Sequence, residues 1–163
     1  MRLAPEGADL AILTRIVLEL LNNACLMYPP TGKEVVMKDQ NSAKPRVLIA
    51  DDEESSRVCL TIVLEDEGWE ITQARDGKEA LEKVLKSQPN LLILDYQMPE
   101  LTGAEVYQHL QLHRIKLAVV LISSYTELEK LASSLGIAYF LHKPFDIPKL
   151  LTTIQSAYEE SIS

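Results

Sequence analysis

The sequence contains few of the residues that crosslink small extracellular proteins. Only two of its 163 residues are cysteines, Cys25 and Cys59, and their spacing fits neither a zinc site nor a redox motif. Isolated cysteines of this kind are typical of reduced thiols in a cytosolic protein. We therefore expect no disulfide framework.

The chain also lacks an apolar run long enough to cross a membrane, which needs about 20 residues. The longest amphipathic stretch lies near the amino terminus, and Arg15 and Glu19 interrupt it. No signal peptide is evident, because this segment has a single early arginine and carries acidic residues throughout. We expect a cytoplasmic protein that does not associate with membranes.

An excess of basic residues is absent as well. The chain has 16 Lys and Arg against 24 Asp and Glu, a net charge of −8. Phosphate backbones require a basic face, so we expect no nucleic-acid ligand. Residues 1–44 carry five basic and five acidic side chains, whereas residues 45–163 carry 11 and 19. The net charge therefore belongs entirely to the second part.

In that second part, short apolar runs alternate with amphipathic segments. Each run is too short for a buried helix and is typical of a strand covered on both faces. The predicted strands are Val47–Ala50, Trp69–Ala74 (more exposed than the others), Leu91–Leu94, Ala118–Ile122 and Ile137–Leu141. The predicted helices are Ser55–Glu67, Gly77–Ser87, Gly103–His113, Glu127–Leu135 and Ile147–Glu159, the last with Asp146 as its N-cap.

This alternation predicts a doubly wound, flavodoxin-like α/β fold with five parallel strands flanked by five helices. For five strands we expect the order 2-1-3-4-5. Residues 1–44 show no such alternation, so we interpret them as an N-terminal helical extension with a linker.

Polar side chains follow the predicted inner strands at the point where each strand ends. They are Asp51, Asp52, Asp95, Ser123 and, shortly after the fifth run, Lys143. The carboxyl ends of parallel strands share one edge, where ligands of such sheets bind. Neighbouring carboxylates repel each other unless a proton or cation offsets the cost, and Mg²⁺ prefers oxygen ligands. With a lysine and a hydroxyl, this set suits a phosphoryl group on one aspartate.

Four segments of the sequence carry a resemblance to a known family. They read "VLIADDEESSR", "LLILDYQMPELTG", "VVLISSY" and "YFLHKPF". In order and spacing they resemble the receiver domains of two-component response regulators, over about residues 45–163.

The resemblance implies a phosphoacceptor site that works with Mg²⁺. Asp95 would accept a phosphoryl group from a histidine of a partner kinase or phosphotransfer protein. Asp52 would bind Mg²⁺ directly and Asp51 would help through water, while Asp95 and the backbone carbonyl of Gln97 would complete the protein ligands.

The same resemblance implies a switch. Lys143 would pair with the phosphoryl oxygens, and the Lys143–Pro144 peptide would be cis. Ser123 would move to hydrogen-bond the phosphoryl group, and the rotamer of Phe140 would follow it. Its inward and outward rotamers would differ mainly in burial, worth about 1–3 kcal/mol.

Two features depart from the usual family pattern. Ser123 stands where threonine is more frequent, and its distance to Lys143, 20 residues, is slightly shorter than usual. Because the deficit falls around the fourth helix, we expect that helix to be short or poorly formed.

The segment "RIVLELLNNACLMYPPTGKEVVM" resembles the first ATP-binding motif of histidine kinases, with Asn23 and Glu19 at its polar positions. Leu26 stands where a basic residue is usual, and the remaining nucleotide motifs are missing, so we expect no ATP site. Two interpretations remain: a relic of a kinase domain, or an amphipathic helix over Asp9–Met27 that packs on the receiver or forms a homodimer. We favour the second, because its apolar stripe requires burial.

Three functional hypotheses follow. The first is a signalling switch that changes its affinity for a downstream protein partner when Asp95 is phosphorylated. The second is a phosphatase or phosphotransferase enzyme, which Gln97 disfavours because it lacks a titratable proton. The third is an adaptor that works without phosphorylation. We favour the non-enzymatic switch, and expect at most weak self-dephosphorylation.

Overall fold

The protein forms a five-stranded parallel sheet in its C-terminal part. We describe it from a computed structural model, which describes residues 43–163. The strands are β1 Arg46–Ala50, β2 Glu70–Ala74, β3 Leu91–Asp95, β4 Ala118–Ser123 and β5 Tyr139–His142. The helices are α1 Glu54–Asp66, α2 Gly77–Ser87, α3 Gly103–Leu112, α4 Leu128–Leu135 and α5 Ile147–Ile162. The strand order is β2-β1-β3-β4-β5, as predicted.

The inner strands are buried on both faces. Every residue of β3 and β4 is buried, as are the last four of β1. Successive side chains of a strand point to opposite faces, so burial of every residue requires cover on both sides. The apolar pattern continues up to Asp95 and Ser123, the last residues of β3 and β4. Two polar side chains are therefore carried into the interior at one edge.

Side-chain caps fix the starts of three helices. Asp76 accepts from the Glu79 N–H before α2, and Asp146 accepts from the Lys149 N–H before α5, each at 2.7 Å. Thr102 and Glu105 form a reciprocal capping box at the start of α3. Such caps satisfy backbone donors that have no partner within the helix. The predicted N-cap at Asp146 is confirmed.

The start of β5 differs from the prediction, which began the strand at Ile137. The Ile137 N–H donates instead to the carbonyl of Ala132 at 2.9 Å. Gly136, with a φ of 75°, turns the chain between them in a left-handed conformation. This pattern closes a helix end, so the backbone of Ile137 serves α4 and the strand begins two residues later. The expected short fourth helix is confirmed, since α4 has 8 residues.

The predicted helix Asp9–Met27 lies outside the described residues, as do the interpretations of it as a kinase relic or a dimerisation element. Within residues 43–163, no helix is both long and apolar enough to cross a membrane.

Candidate functional site

Three carboxylates meet at the carboxyl edge of the sheet. Asp51 directly follows β1, and Asp95 ends the neighbouring strand β3. Together with Asp52 they offer oxygen atoms that all lie within 4.8 Å of one another. The strand order changes direction between β1 and β3, which is where ligands of open α/β sheets bind. The predicted cluster of Asp51, Asp52 and Asp95 is therefore present.

Lys143 joins the two buried carboxylates. Its ammonium donates to Asp51 Oδ2 at 2.8 Å and to Asp95 Oδ2 at 3.0 Å. Its backbone N–H donates to the carbonyl of Ser123 at 2.9 Å, which ties the loop after β5 to the end of β4. The Lys143–Pro144 peptide is cis, as the resemblance implied.

Asp51 is held by further donors from the start of α1. Its Oδ1 accepts from the Glu53 N–H at 2.8 Å, and its Oδ2 accepts from the Ser56 hydroxyl at 2.7 Å. The Arg57 guanidinium donates to the backbone carbonyl of Asp51 at 2.7 Å. Both carboxylate oxygens of this fully buried residue therefore have partners. Asp52, by contrast, is exposed.

Burial raises the pKa of Asp95, and the nearby charge of Asp51 adds to this rise. The Lys143 ammonium and the Gln97 N–H, which donates to Asp95 Oδ1 at 3.2 Å, act in the opposite direction. Burial alone would lower the pKa of Lys143, but its hydrogen bonds to Asp51 and Asp95 and their charges raise it. The lysine is therefore firmly protonated.

The charges at this edge do not balance. Asp51 and Asp95 are both buried, and a single ammonium lies between them. Asp52 adds a third carboxylate on the solvent side. A divalent cation would offset the remaining repulsion, and carboxylate oxygens are ligands that Mg²⁺ prefers. The donor set therefore fits the cation predicted from the sequence.

Ser123 is fully buried at the end of β4, next to β3 in the sheet. Its hydroxyl accepts from the Tyr125 N–H at 3.0 Å. Phe140 lies opposite Leu121 in the β4–β5 ladder and is half-buried against the core. The structure thus brings Asp51, Asp52, Asp95 and Lys143 into one cluster, and places Ser123 and Phe140 on the adjacent strands.

Several residues that shape this site were not identified from the sequence. A Cβ on Gly103 would collide with the carbonyl oxygen of Asp95, so only glycine fits where α3 begins against β3. Ser56 and Arg57 fix Asp51, and Tyr125 holds the Ser123 hydroxyl. All four residues lie in the quoted family segments, and that membership was the signal available in the sequence. Their contacts depend on how the helices and loops meet the sheet.

The fold and the acidic edge together define a phosphoacceptor signalling domain. A profile of the family described as response regulator receiver domain matches residues 47–155, and the chain belongs to that family. Domains of this family are phosphoacceptors and generally not enzymes. The match does not include residues 1–44, so it gives no support to their kinase-like interpretation.

Individual relatives agree with this assignment. Sporulation initiation phosphotransferase F of Bacillus subtilis is 30% identical over 112 residues, which are 68% of this chain and 90% of that protein. The transcriptional regulatory protein PdtaR of Mycobacterium tuberculosis is 38% identical over 122 residues, which are 73% of this chain and 60% of PdtaR. The match thus spans most of one relative and under two thirds of the other.

Solved structures show the same fold. The receiver domain of the Francisella response regulator 1452 superimposes with a TM-score of 0.68 at 29% identity, covering 72% of this chain and 99% of that one. The chemotaxis protein CheY4 of Vibrio cholerae gives a TM-score of 0.65 at 31% identity, covering 71% and 99%.

Proposed function

We propose that this protein is a phosphorelay switch in which Asp95 accepts a phosphoryl group in a Mg²⁺-dependent reaction. The donor is a phosphohistidine of a histidine kinase or histidine phosphotransfer protein, and the result is a changed affinity for a downstream protein partner. The observation that carries this proposal is the Lys143 ammonium, which lies within hydrogen-bond distance of both Asp51 and Asp95. It already occupies a place from which it can reach a phosphoryl oxygen.

The three carboxylates are not equivalent as nucleophiles. The Asp51 carboxylate already accepts short hydrogen bonds from the Glu53 N–H, the Ser56 hydroxyl and the Lys143 ammonium. Asp95 accepts longer bonds, 3.0 Å from Lys143 and 3.2 Å from the Gln97 N–H. Asp52 is exposed to solvent. Asp95 is therefore the carboxylate that combines burial with the freedom to form a new bond.

In the proposed transfer, an oxygen of the Asp95 carboxylate attacks the phosphorus atom of the donor. The P–N bond of the phosphohistidine breaks, and its electron pair remains on the imidazole nitrogen. Lys143 moves from the Asp95 carboxylate to a phosphoryl oxygen while keeping its bond to Asp51. Positioning and charge stabilisation supply most of the catalysis in such transfers.

The acidic cluster supports the proposed cofactor. Asp51, Asp52 and Asp95, with the backbone carbonyl of Gln97, would hold Mg²⁺. When bound, the ion offsets the negative charge of the phosphoryl oxygens. The protein's own contribution is to keep the two buried carboxylates near each other before the ion arrives.

Switching would then proceed on the neighbouring strands. We propose that Ser123 leaves the Tyr125 amide and hydrogen-bonds the phosphoryl group, and that Phe140 changes rotamer with it. The hydroxyl oxygen accepts from the Tyr125 N–H, so its own O–H remains available to donate to a phosphoryl oxygen once Ser123 moves toward Asp95. Such a movement converts one modification into a shift between two conformations.

Incubation of the full chain with acetyl phosphate tests the proposal. With Mg²⁺ we expect one phosphoryl group per chain, located on Asp95 by peptide mass spectrometry, and with a chelator we expect none. Repeated turnover of phosphomonoesters would indicate an enzyme instead. A chain that is never modified would indicate an adaptor that works without phosphorylation.

A further inference from the structure

Tyr125 connects three parts of the site through three different groups. Its N–H donates to the Ser123 hydroxyl at 3.0 Å, and its carbonyl accepts from the Leu128 N–H, the first residue of α4, at 3.3 Å. Its ring packs against the ring of Tyr96, with 5.5 Å between centroids and 46° between planes. A shift of this one residue therefore affects the hydroxyl, the start of α4 and the aromatic contact together.

Tyr96 is the fixed member of this aromatic pair. It directly follows Asp95, and its N–H donates to the carbonyl of Ile122 at 3.0 Å. Its own carbonyl accepts from the Gly103 N–H at 2.9 Å. The backbone of Tyr96 is thus tied to β4 on one side and to α3 on the other. Tyr125 lies in the exposed connection between β4 and α4, and its two backbone hydrogen bonds are local, to Ser123 and Leu128. Its ring contact with Tyr96 is what links it to the residue after β3.

We propose that Tyr125 is a positioning residue whose contact with Tyr96 holds the Ser123 hydroxyl away from Asp95. This inference rests on the proposed function. As long as the rings remain in contact, the Tyr125 N–H stays bound to the Ser123 oxygen, and this hydrogen bond holds the serine side chain in its present position. The aromatic pair therefore sets how strongly the unphosphorylated conformation is favoured.

The size of the effect follows from the two-state relation between populations and affinity. A ligand that binds only the minor conformation gains affinity in proportion to the rise in that population. An aromatic pair of this geometry contributes enough to shift such an equilibrium by about two- to tenfold. Removal of either ring should therefore increase the apparent affinity for a phosphoryl analogue by about that factor.

The variants can separate the ring from the backbone. Tyr125→Ala removes the ring but keeps the N–H that binds Ser123, and Tyr125→Phe keeps the ring and removes only its hydroxyl. Tyr96→Ala removes the other half of the contact. If the two rings act only through their mutual contact, the Tyr96→Ala/Tyr125→Ala double variant should bind the phosphoryl analogue with nearly the same affinity as either single variant.

We would titrate the full-length chain with beryllofluoride at saturating Mg²⁺ and follow backbone amide shifts of residues 118–128 by NMR. For Tyr125→Ala and Tyr96→Ala we expect apo shifts displaced toward the bound state and an affinity about two- to tenfold higher than wild type. Tyr125→Phe should match wild type. Affinity for Mg²⁺ alone should be unchanged in all three, whereas general structural damage would lower it.

Other results would overturn the inference. It is wrong if the alanine variants bind beryllofluoride no more tightly than wild type, or if Tyr125→Phe behaves like Tyr125→Ala. If Tyr125→Ala fails to fold, Tyr96→Ala alone decides between these outcomes, and failure of both to fold would show the contact to be structural. If the wild-type chain does not respond to beryllofluoride, the proposed function fails and the inference fails with it.

Discussion

The two halves of the site are built differently. On the β1–β3 side, Asp51 and Asp95 are buried and joined through Lys143, and Asp51 is further held by residues at the start of α1. On the β4–β5 side, the Ser123 hydroxyl is bound to its own loop, and β5 is an edge strand of 4 residues.

The helix that follows β4 continues this difference. α4 has 8 residues and follows an exposed connection, residues 124–127, whereas α1, the helix after β1, has 13 residues. Neither of these two helices has a side-chain hydrogen bond at its N-cap. Segments with fewer packed contacts open at lower free energy. The comparison indicates a rigid half that carries the proposed chemistry and a looser half that carries the proposed response.

The largest effect should come from the rigid half, with Asp95→Asn. Asparagine has nearly the same shape but is no nucleophile for phosphorus, so we expect modification by acetyl phosphate to fall to background. Intact-mass spectrometry would measure it, with Asp66→Asn, an exposed aspartate at the end of α1, as the matched control. Incorporation at the wild-type rate would show that another residue is the acceptor.

The same substitution should stabilise the fold in the absence of Mg²⁺. Because burial raises the pKa of Asp95, the folded state disfavours the charged carboxylate, and this cost is fully present above the folded-state pKa. A neutral amide avoids it. At pH 7 we expect the melting temperature to rise by about 2–4 °C, equivalent to roughly 1 kcal/mol. A lower melting temperature would show that the bond to Lys143 outweighs the cost of burial.

Lys143→Ala should damage the rigid half in a different way. Two buried carboxylates lose their ammonium, which we expect to cost about 1–3 kcal/mol, less than for a fully buried pair because the lysine side chain is 24% exposed. Mg²⁺ should still bind and restore much of the loss, while the response to beryllofluoride disappears. Calorimetry with and without Mg²⁺ would measure this. Lys130→Ala removes an exposed ion pair to Glu127 and should change neither property.

Ser123→Ala should leave the β1–β3 side of the site intact but prevent the conformational response on the β4–β5 side. The variant should take up phosphate at nearly the wild-type rate, but its active conformation loses one hydrogen bond, worth about 0.5–1.5 kcal/mol. In NMR spectra with beryllofluoride, shift changes should stay near Asp51 and Asp95 and no longer reach Phe140. Ser123→Thr keeps the hydroxyl and should behave as wild type. If the shift changes in the alanine variant reach Phe140 as they do in wild type, Ser123 is not part of the switch.

The smallest expected effect concerns two glycines, one on each side of the site. A Cβ at Gly103 would meet the backbone of Asp95, whereas at Gly136 it meets nothing within 4 Å and only the left-handed φ opposes it. We expect Gly136→Ala to cost about 1 kcal/mol in folding free energy and to leave phosphorylation unchanged. Gly103→Ala should cost about 1–3 kcal/mol and slow phosphorylation as well. Equal phosphorylation rates would show that the Asp95 backbone tolerates displacement.

Much of the fold could be predicted from local patterns. The apolar runs ending in Asp51, Asp95 and Ser123 place these residues at one edge, because parallel strands share their direction. The order 2-1-3-4-5 is a common one for a doubly wound sheet of five strands. The start of β5 was predicted two residues early, since Ile137 is apolar and buried like a strand residue although its N–H caps α4. Periodicity reports burial but not the partner of a backbone amide.

The details of the site could not be predicted from the sequence for a related reason. The sequence places Asp51 and Asp52 side by side, but only the structure shows that one is enclosed by Ser56 and Lys143 while the other faces solvent. The Tyr96–Tyr125 contact joins residues from two different loops. Such contacts depend on loop paths, for which neither hydrophobic periodicity nor strand order gives information.

A crystal structure of the chain with Mg²⁺ and beryllofluoride would show whether Asp95 is the phosphoacceptor. We expect the analogue on the Asp95 carboxylate, with the Lys143 ammonium and the Ser123 hydroxyl both within hydrogen-bond distance of its fluorides. An analogue bound to another residue, or one that leaves Lys143 between the two aspartates and Ser123 on the Tyr125 amide, would contradict this expectation.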